Sequence, residues 1–185
     1  MIYETDTNRV LVWDNSAWVM IADTDTPPAL ELVKTQTIGS AVSSVTVSNC
    51  FSSTYDNYRI LITGGTTSTQ SNLGFQLSGI TGSVYNQLGY YQLWGASTRY
   101  DYAAQSTNVI IADGSATAYS ADVELKNPYA SVRKFGNTNS QSTNNQYAMP
   151  FYINSTTSAT GFTITPGSGT MTGGTITVYG YRNAI

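Results

Sequence analysis

Apolar and polar residues alternate with a period of two in the best-defined segments of this chain. The cleanest is Tyr119 to Lys126, where Tyr119, Ala121, Val123 and Leu125 fall on one face and Ser120, Asp122, Glu124 and Lys126 on the other. Tyr58 to Ile62 is more continuously apolar, as a central strand is, and Tyr147, Met149, Phe151 and Ile153 share one parity. Weaker runs lie at Leu30–Thr37, Val42–Val47, Leu73–Leu77, Val109–Ala112 and Val132–Phe135. Phe162 and Ile164, then Thr175 to Tyr179 after Gly173-Gly174, predict a terminal hairpin. No window sustains a 3.6-residue period, and no repeat recurs at a fixed spacing. About eight to ten strands follow, the complement of a jelly-roll-like antiparallel β-sandwich in an all-β fold.

The N-terminal segment breaks the alternation. Val10-Leu11-Val12-Trp13 and Ala17-Trp18-Val19-Met20-Ile21 flank a turn at Asp14-Asn15-Ser16, and both runs are apolar throughout. A two-stranded hairpin of that kind needs cover on both faces and is marginal in water alone. Copies from neighbouring subunits are the simplest cover. Val10, Val12, Trp13, Trp18, Val19 and Ile21 are therefore the candidate oligomerisation and anchoring residues. The prolines of Asp23-Thr24-Asp25-Thr26-Pro27-Pro28 favour an extended spacer. The expected organisation is an oligomerisation hairpin over 1–22, a linker over 23–28 and the sandwich over 29–185.

Composition narrows the function classes. Charged residues make up 10% of the chain, with 8 Lys plus Arg against 11 Asp plus Glu. The cations are scattered, which leaves no phosphate-binding cluster and argues against nucleic acid. No apolar run reaches the ~18 residues of a membrane span, and the opening Met1-Ile2-Tyr3-Glu4-Thr5-Asp6 is unlike a secretion signal, so synthesis in the cytoplasm without membrane insertion is expected. Cys50 is the single cysteine and reads as a small buried hydrophobe.

With no histidine in the chain, Ser-His-Asp and Cys-His catalysis and the usual zinc sites are excluded. Asp122 and Glu124 share a strand face, as a glycosidase pair would, but they also alternate with core residues where a soluble sandwich carries charge. Asp23 and Asp25 lack the loop of a calcium site and read as linker residues. The expectation is a protein that is not an enzyme, with no catalytic residue, no cofactor and no metal. The remaining concentration is aromatic. Tyr85, Tyr90, Tyr91, Trp94, Tyr100 and Tyr102 are interleaved with amides, Arg99 and Asp101, in a stretch that reads as a long loop. Tyr and Trp give rigid contact area at low entropy cost, and sugar rings have apolar faces that stack on them. Tyr90, Tyr91, Trp94, Arg99 and Tyr100 are the candidate receptor- or glycan-binding residues; core filling is the competing role for such tyrosines.

Two stretches carry a resemblance. Tyr3 to Val19, with its acidic-polar start, apolar run, Asn15 turn and Trp18 after a small residue, resembles an element recurrent in bacteriophage tail fibres and other appendage proteins. Gly173 to Asn183, with Tyr55 to Ile62 upstream, is similar to the β-sandwich domain of phage virion proteins, particularly of phages of aquatic bacteria. The resemblance implies a homotrimeric virion component assembled in the host cytoplasm, a short tail fibre or tip that attaches to the host. It would dock on other tail or capsid proteins through its N-terminal segment and meet host-surface polysaccharide or protein with its C-terminal domain. The chain is short for a fibre, so the alternative is a capsid decoration or cement protein, or a head fibre.

Overall fold

In the computed structural model, which describes residues 2–4, 9–23 and 29–183, the secondary structure is entirely β. Chain order gives β1 (Ile2–Glu4), β2 (Arg9–Trp13), β3 (Trp18–Asp23), β4 (Leu30–Thr37), β5 (Val45–Val47), β6 (Asn57–Thr63), β7 (Thr66–Thr67), β8 (Ser71–Leu77) and β9 (Tyr85–Leu93). There follow β10 (Arg99–Ser106), β11 (Val109–Gly114), β12 (Tyr119–Lys126), β13 (Lys134–Ser142), β14 (Asn145–Ile153), β15 (Phe162–Pro166), β16 (Met171–Thr172) and β17 (Thr175–Tyr181). Every pairing is antiparallel. An eight-stranded sheet runs β10-β9-β14-β13-β12-β6-β17-β4, and a four-stranded sheet β11-β8-β15-β5 packs on one of its faces. The fold is a jelly-roll-like antiparallel sandwich.

Alternation makes the core. Tyr58, Ile60 and Ile62 of β6, the odd-numbered residues of β12, and Ile176 and Val178 of β17 are buried on the large sheet's inner face. They meet Leu73, Phe75 and Leu77 of β8, Phe162 and Ile164 of β15, and Val45 and Val47 of β5. Phe162 lies between Phe75 and Phe51, with ring centroids 4.8 and 5.8 Å away, and Phe51 meets Tyr58 edge-on at 4.7 Å. Cys50 is buried with its thiol on the Val47 carbonyl, as a small hydrophobe is.

Towards β9 the inner face turns polar, and these groups join the sheets. β11 is the edge strand of the small sheet and is bulged between Ile110 and Ala112, and side chains of the large sheet supply partners for its unpaired backbone groups. The Gln87 side chain donates to the Ile110 carbonyl at 2.6 Å and accepts from the Ile110 N–H at 2.9 Å, while Thr138 Oγ1 donates to the Ile111 carbonyl at 2.8 Å. Replacing buried Gln87 with Leu removes two hydrogen bonds and leaves a backbone donor and acceptor unpaired. The expected cost is about 2 kcal/mol, seen as a melting temperature lower by about 6 °C in calorimetry.

Three expectations are corrected. The N-terminal element is a three-stranded sheet, because Ile2–Glu4 pairs with β2 from Ile2↔Leu11 to Glu4↔Arg9. The expected terminal hairpin does not form: β15 joins β8 and β5 in the small sheet, whereas β17 lies between β6 and β4 in the large one. The chain between them crosses from sheet to sheet, with β16 pairing β7 on the way. The aromatic stretch expected as a loop is the β9–β10 hairpin at the edge of the large sheet, paired from Ser106↔Tyr85 to Arg99↔Gln92. Of the expected linker only Asp23 lies within the described residues, where it ends β3.

In the N-terminal sheet, Leu11, Trp13, Trp18 and Met20 share one face and Val12 and Val19 the other, with a bulge between Val10 and Leu11. The turn is held by Asp14, whose Oδ1 accepts from the Ser16 and Ala17 N–H groups at 2.9 and 2.8 Å, and Asn15 takes the left-handed conformation there (φ 79°). These hydrogen bonds, that from Ala17 foremost, hold the Asp14 carboxyl below the usual carboxylate range. Trp13 and Trp18 meet edge-on at 5.6 Å yet stay about half exposed, and Val19, Met20 and Ile21 are exposed too.

Candidate functional site

The small sheet has half as many strands as the large one, so the large sheet overhangs it at the β9–β10 end. A cleft of about 550 Å3 opens there, between the inner face of the overhang and β11. Its lining includes Tyr91, Tyr100, Tyr102 and Tyr147 on the large-sheet side and Gln70, Asn72 and Asp113 on the other. The volume falls within the ~300–1,000 Å3 usual for small-molecule sites.

Strand register builds the aromatic wall. Tyr147 of β14 is opposite Tyr91 of β9, which is opposite Tyr100 of β10. Directly opposed residues share a face, and the three rings stack as a ladder with centroids 5.4 and 4.9 Å apart and planes 21° and 12° from parallel. Tyr147 is buried, Tyr91 half-buried, and Tyr100 at the sheet edge is 41% exposed. Burial first, then the neighbouring Asp113, pushes the Tyr147 hydroxyl well above the usual tyrosine range, so it remains a neutral donor; it donates to Asn72 Oδ1 at 3.2 Å.

A polar relay forms the floor. Ser142 Oγ donates to Asn145 Oδ1 at 3.0 Å, which turns the Asn145 amide so that Nδ2 donates to Asp113 Oδ2 at 2.8 Å. Gln70 Nε2 donates to the same oxygen at 2.8 Å. Asp113, Asn145 and Ser142 are all buried. Asp113 Oδ1 has no hydrogen-bond partner among the described residues, so one oxygen of a buried carboxylate, fixed by two amides, stays available to an incoming donor.

The five residues singled out from the sequence divide between places. Tyr91 and Tyr100 come together in the ladder. Tyr90 and Arg99 lie on the opposite sheet face, the Arg99 guanidinium 4.9 Å from the Tyr90 ring centre and 3.1 Å from Asp101. Trp94 sits just past β9, its indole N–H donated to the Ser142 carbonyl at 2.8 Å. Sequence reasoning misses the polar half of the cleft, along with Tyr147. For the tyrosines the available signal is parity: with 85–106 read as two strands, Tyr100 and Tyr102 alternate onto one face of the second, and a hairpin pairing that sets Tyr91 against Tyr100 brings all three to one wall.

The carboxylates of the large sheet's outer face and of β4 are occupied. Asp122 accepts from Arg59 Nε at 3.1 Å, and Glu124 accepts from the Tyr181 hydroxyl at 2.6 Å, on the outer face of the large sheet. Glu31 is held by Arg182 and Tyr55. Among the described residues no group of three acidic, Cys or His side chains could hold a metal ion. The pairing of Asp23 with Asp25 lies outside the described residues.

No protein-family model and no curated protein matches the chain. Two solved structures show slight similarity. The structure of the infectious bursal disease virus Gx strain is 14% identical with a TM-score of 0.13, over 94% of this chain and 45% of that one. The crystal structure of the infectious bursal disease virus VP2 subviral particle is 11% identical with a TM-score of 0.12, over 96% of this chain and 48% of that one. The chain thus spans less than half the length of either, and at such scores neither bears on its role.

Proposed function

We propose that this chain is a non-enzymatic bacteriophage virion protein, a homotrimeric short tail fibre or tip whose sandwich attaches to the host surface and whose N-terminal sheet binds its own copies and other virion proteins. The observation that carries the reading is the N-terminal sheet, with uncovered apolar side chains on both faces, Trp13, Trp18, Met20 and Ile21 among them. A small isolated sheet of that kind is marginal in water, so intersubunit burial is the physical route to its stability. The resemblance of Tyr3 to Val19 to the phage appendage element supports the same reading. So does an apolar strip of Leu88, Phe135 and Tyr152 left exposed on the large sheet's outer face. Recognition falls to the β9–β10 hairpin and its cleft.

Two measurements test the proposal. The chain's solution mass is expected at roughly three times its 19.9 kDa, and W13S/W18S is expected to lower it to that of one chain while the sandwich melts unchanged. An antibody against the sandwich, imaged on intact virions, is expected at the tail. Label across the head would make this a decoration protein, and no label would remove the virion reading.

A further inference from the structure

We propose that the cleft between the β9–β10 overhang and β11 binds an uncharged oligosaccharide, one pyranose ring stacked on the Tyr100 end of the tyrosine ladder and the hydroxyls of a neighbouring ring donating to Asp113. The inference rests on the attachment reading and names the ligand class of that site. The aromatic part comes first. Tyr147, Tyr91 and Tyr100 stack nearly parallel, so they form a plate that ends at the exposed ring of Tyr100, with Tyr102 beside it in the cleft. Such a plate suits the flat C–H face of a sugar ring. A cage for a cationic side chain needs rings that surround the charge, and interplanar angles of 12° and 21° do not provide one.

The polar part selects further. Asp113 is the single acidic or cationic side chain apart from the tyrosines lining the cleft, and it is buried. Its Oδ2 is saturated by Gln70 and Asn145, which fixes the carboxylate plane and leaves Oδ1 to accept from hydroxyls in short, charge-assisted bonds. Tyrosine hydroxyls and the amides of Asn72 and Gln70 are within the same lining to meet the remaining sugar oxygens. Arg99 is on the other sheet face, paired with Tyr90 and Asp101. A sialic or uronic acid would therefore bring its carboxylate towards Asp113 with no cation to receive it, which selects neutral and N-acetylated sugars.

The test is an array of neutral, N-acetylated, sialylated and uronic acid glycans probed with the full chain, followed by titration of the strongest glycan into Tyr100→Ala and Asp113→Asn. The expected result is signal confined to the uncharged glycans and at least a tenfold loss of affinity in each variant. Tyr100→Ala changes an edge residue, so it keeps the test sound should Asp113→Asn fold poorly. Preference for anionic glycans, or affinity unchanged in Tyr100→Ala, would overturn the proposal. A silent array with antibody label at the virion tail would overturn the ligand class and leave attachment standing. A positive array with no label on the particle would keep the ligand class and remove attachment.

Discussion

Raising the pH from 9 to 12 is expected to unfold the sandwich in one cooperative step. The cause is a set of acids that the fold keeps protonated. Burial pushes Tyr85 and Tyr119 up to about 12 from an ordinary 10.0, and pushes the Cys50 thiol up to about 12 from 9.0. Burial also raises Tyr58 and Tyr147. Below the ordinary values both folded and unfolded chains hold these protons, and the groups contribute no pH dependence. Above them the unfolded chain releases protons that the folded chain retains, so stability falls until the raised values are reached. Each such group costs about 1.4 kcal/mol per pH unit, and Tyr85, Tyr119 and Cys50 together about 4. Against a stability of ~5–15 kcal/mol for such a domain, that slope is decisive within about two pH units.

One group opposes the trend. Lys134 is fully buried, its Nζ donating to the Ala130 and Val132 carbonyls at 2.9 and 2.6 Å, with no carboxylate among its partners. Desolvation lowers its pKa from 10.5. The folded chain thus sheds this proton before the unfolded chain does, and stability gains as pH rises through the window that ends at the ordinary value. Beyond it the tyrosines and the Cys50 thiol act unopposed. Far-ultraviolet dichroism and tyrosinate absorbance at alkaline pH are expected to change together between about pH 10.5 and 12. Native sheet signal persisting at pH 12, or all tyrosines ionising smoothly near 10, would contradict the burial assigned to Tyr85 and Tyr119.

The same residues show what could be read from the chain alone. Strand β12 was legible to the residue because one face is core and the other solvent, which writes the burial pattern into local sequence. Strand β6 was legible as central, since both its neighbours are other strands. Strand β13 was legible only at its start, where the run Val132–Phe135 overlaps it: its later inward residues Thr138, Ser140 and Ser142 are polar, and Thr138 serves the β11 bulge, a contact no local pattern encodes. The β9–β10 hairpin was hidden because adjacent Tyr90 and Tyr91 put aromatics on both faces. The residue types of the aromatic wall were legible; its assembly was not. The ladder depends on the register of three strands, and Asp113 reaches it from the other sheet.

Replacing Gly89 with Ala is expected to cost about 3–5 kcal/mol and to dismantle the cleft. The position is set by Pro150, which lies inside the large sheet without an N–H to donate. The β9–β14 ladder accordingly runs from Asn145↔Leu93 to Ala148↔Tyr90, lapses, and resumes at Phe151↔Gln87. In the gap Gly89 adopts φ +143°, and a Cβ there would lie 2.3 Å from the Ala148 carbonyl oxygen and 2.8 Å from Met149 Cα. Both are backbone atoms, so no rotamer change relieves the contact. Relief requires β9 to move off β14, and that movement separates Tyr91 from Tyr147. Gly79 isolates the steric part of the effect: its φ is +74°, but nothing lies within 4 Å of a Cβ. Gly79→Ala is expected to cost only the conformational strain, about 1 kcal/mol. Urea unfolding of the two variants decides the matter, since equal destabilisation would mean that β9 does not press on β14 and that the ladder has another support.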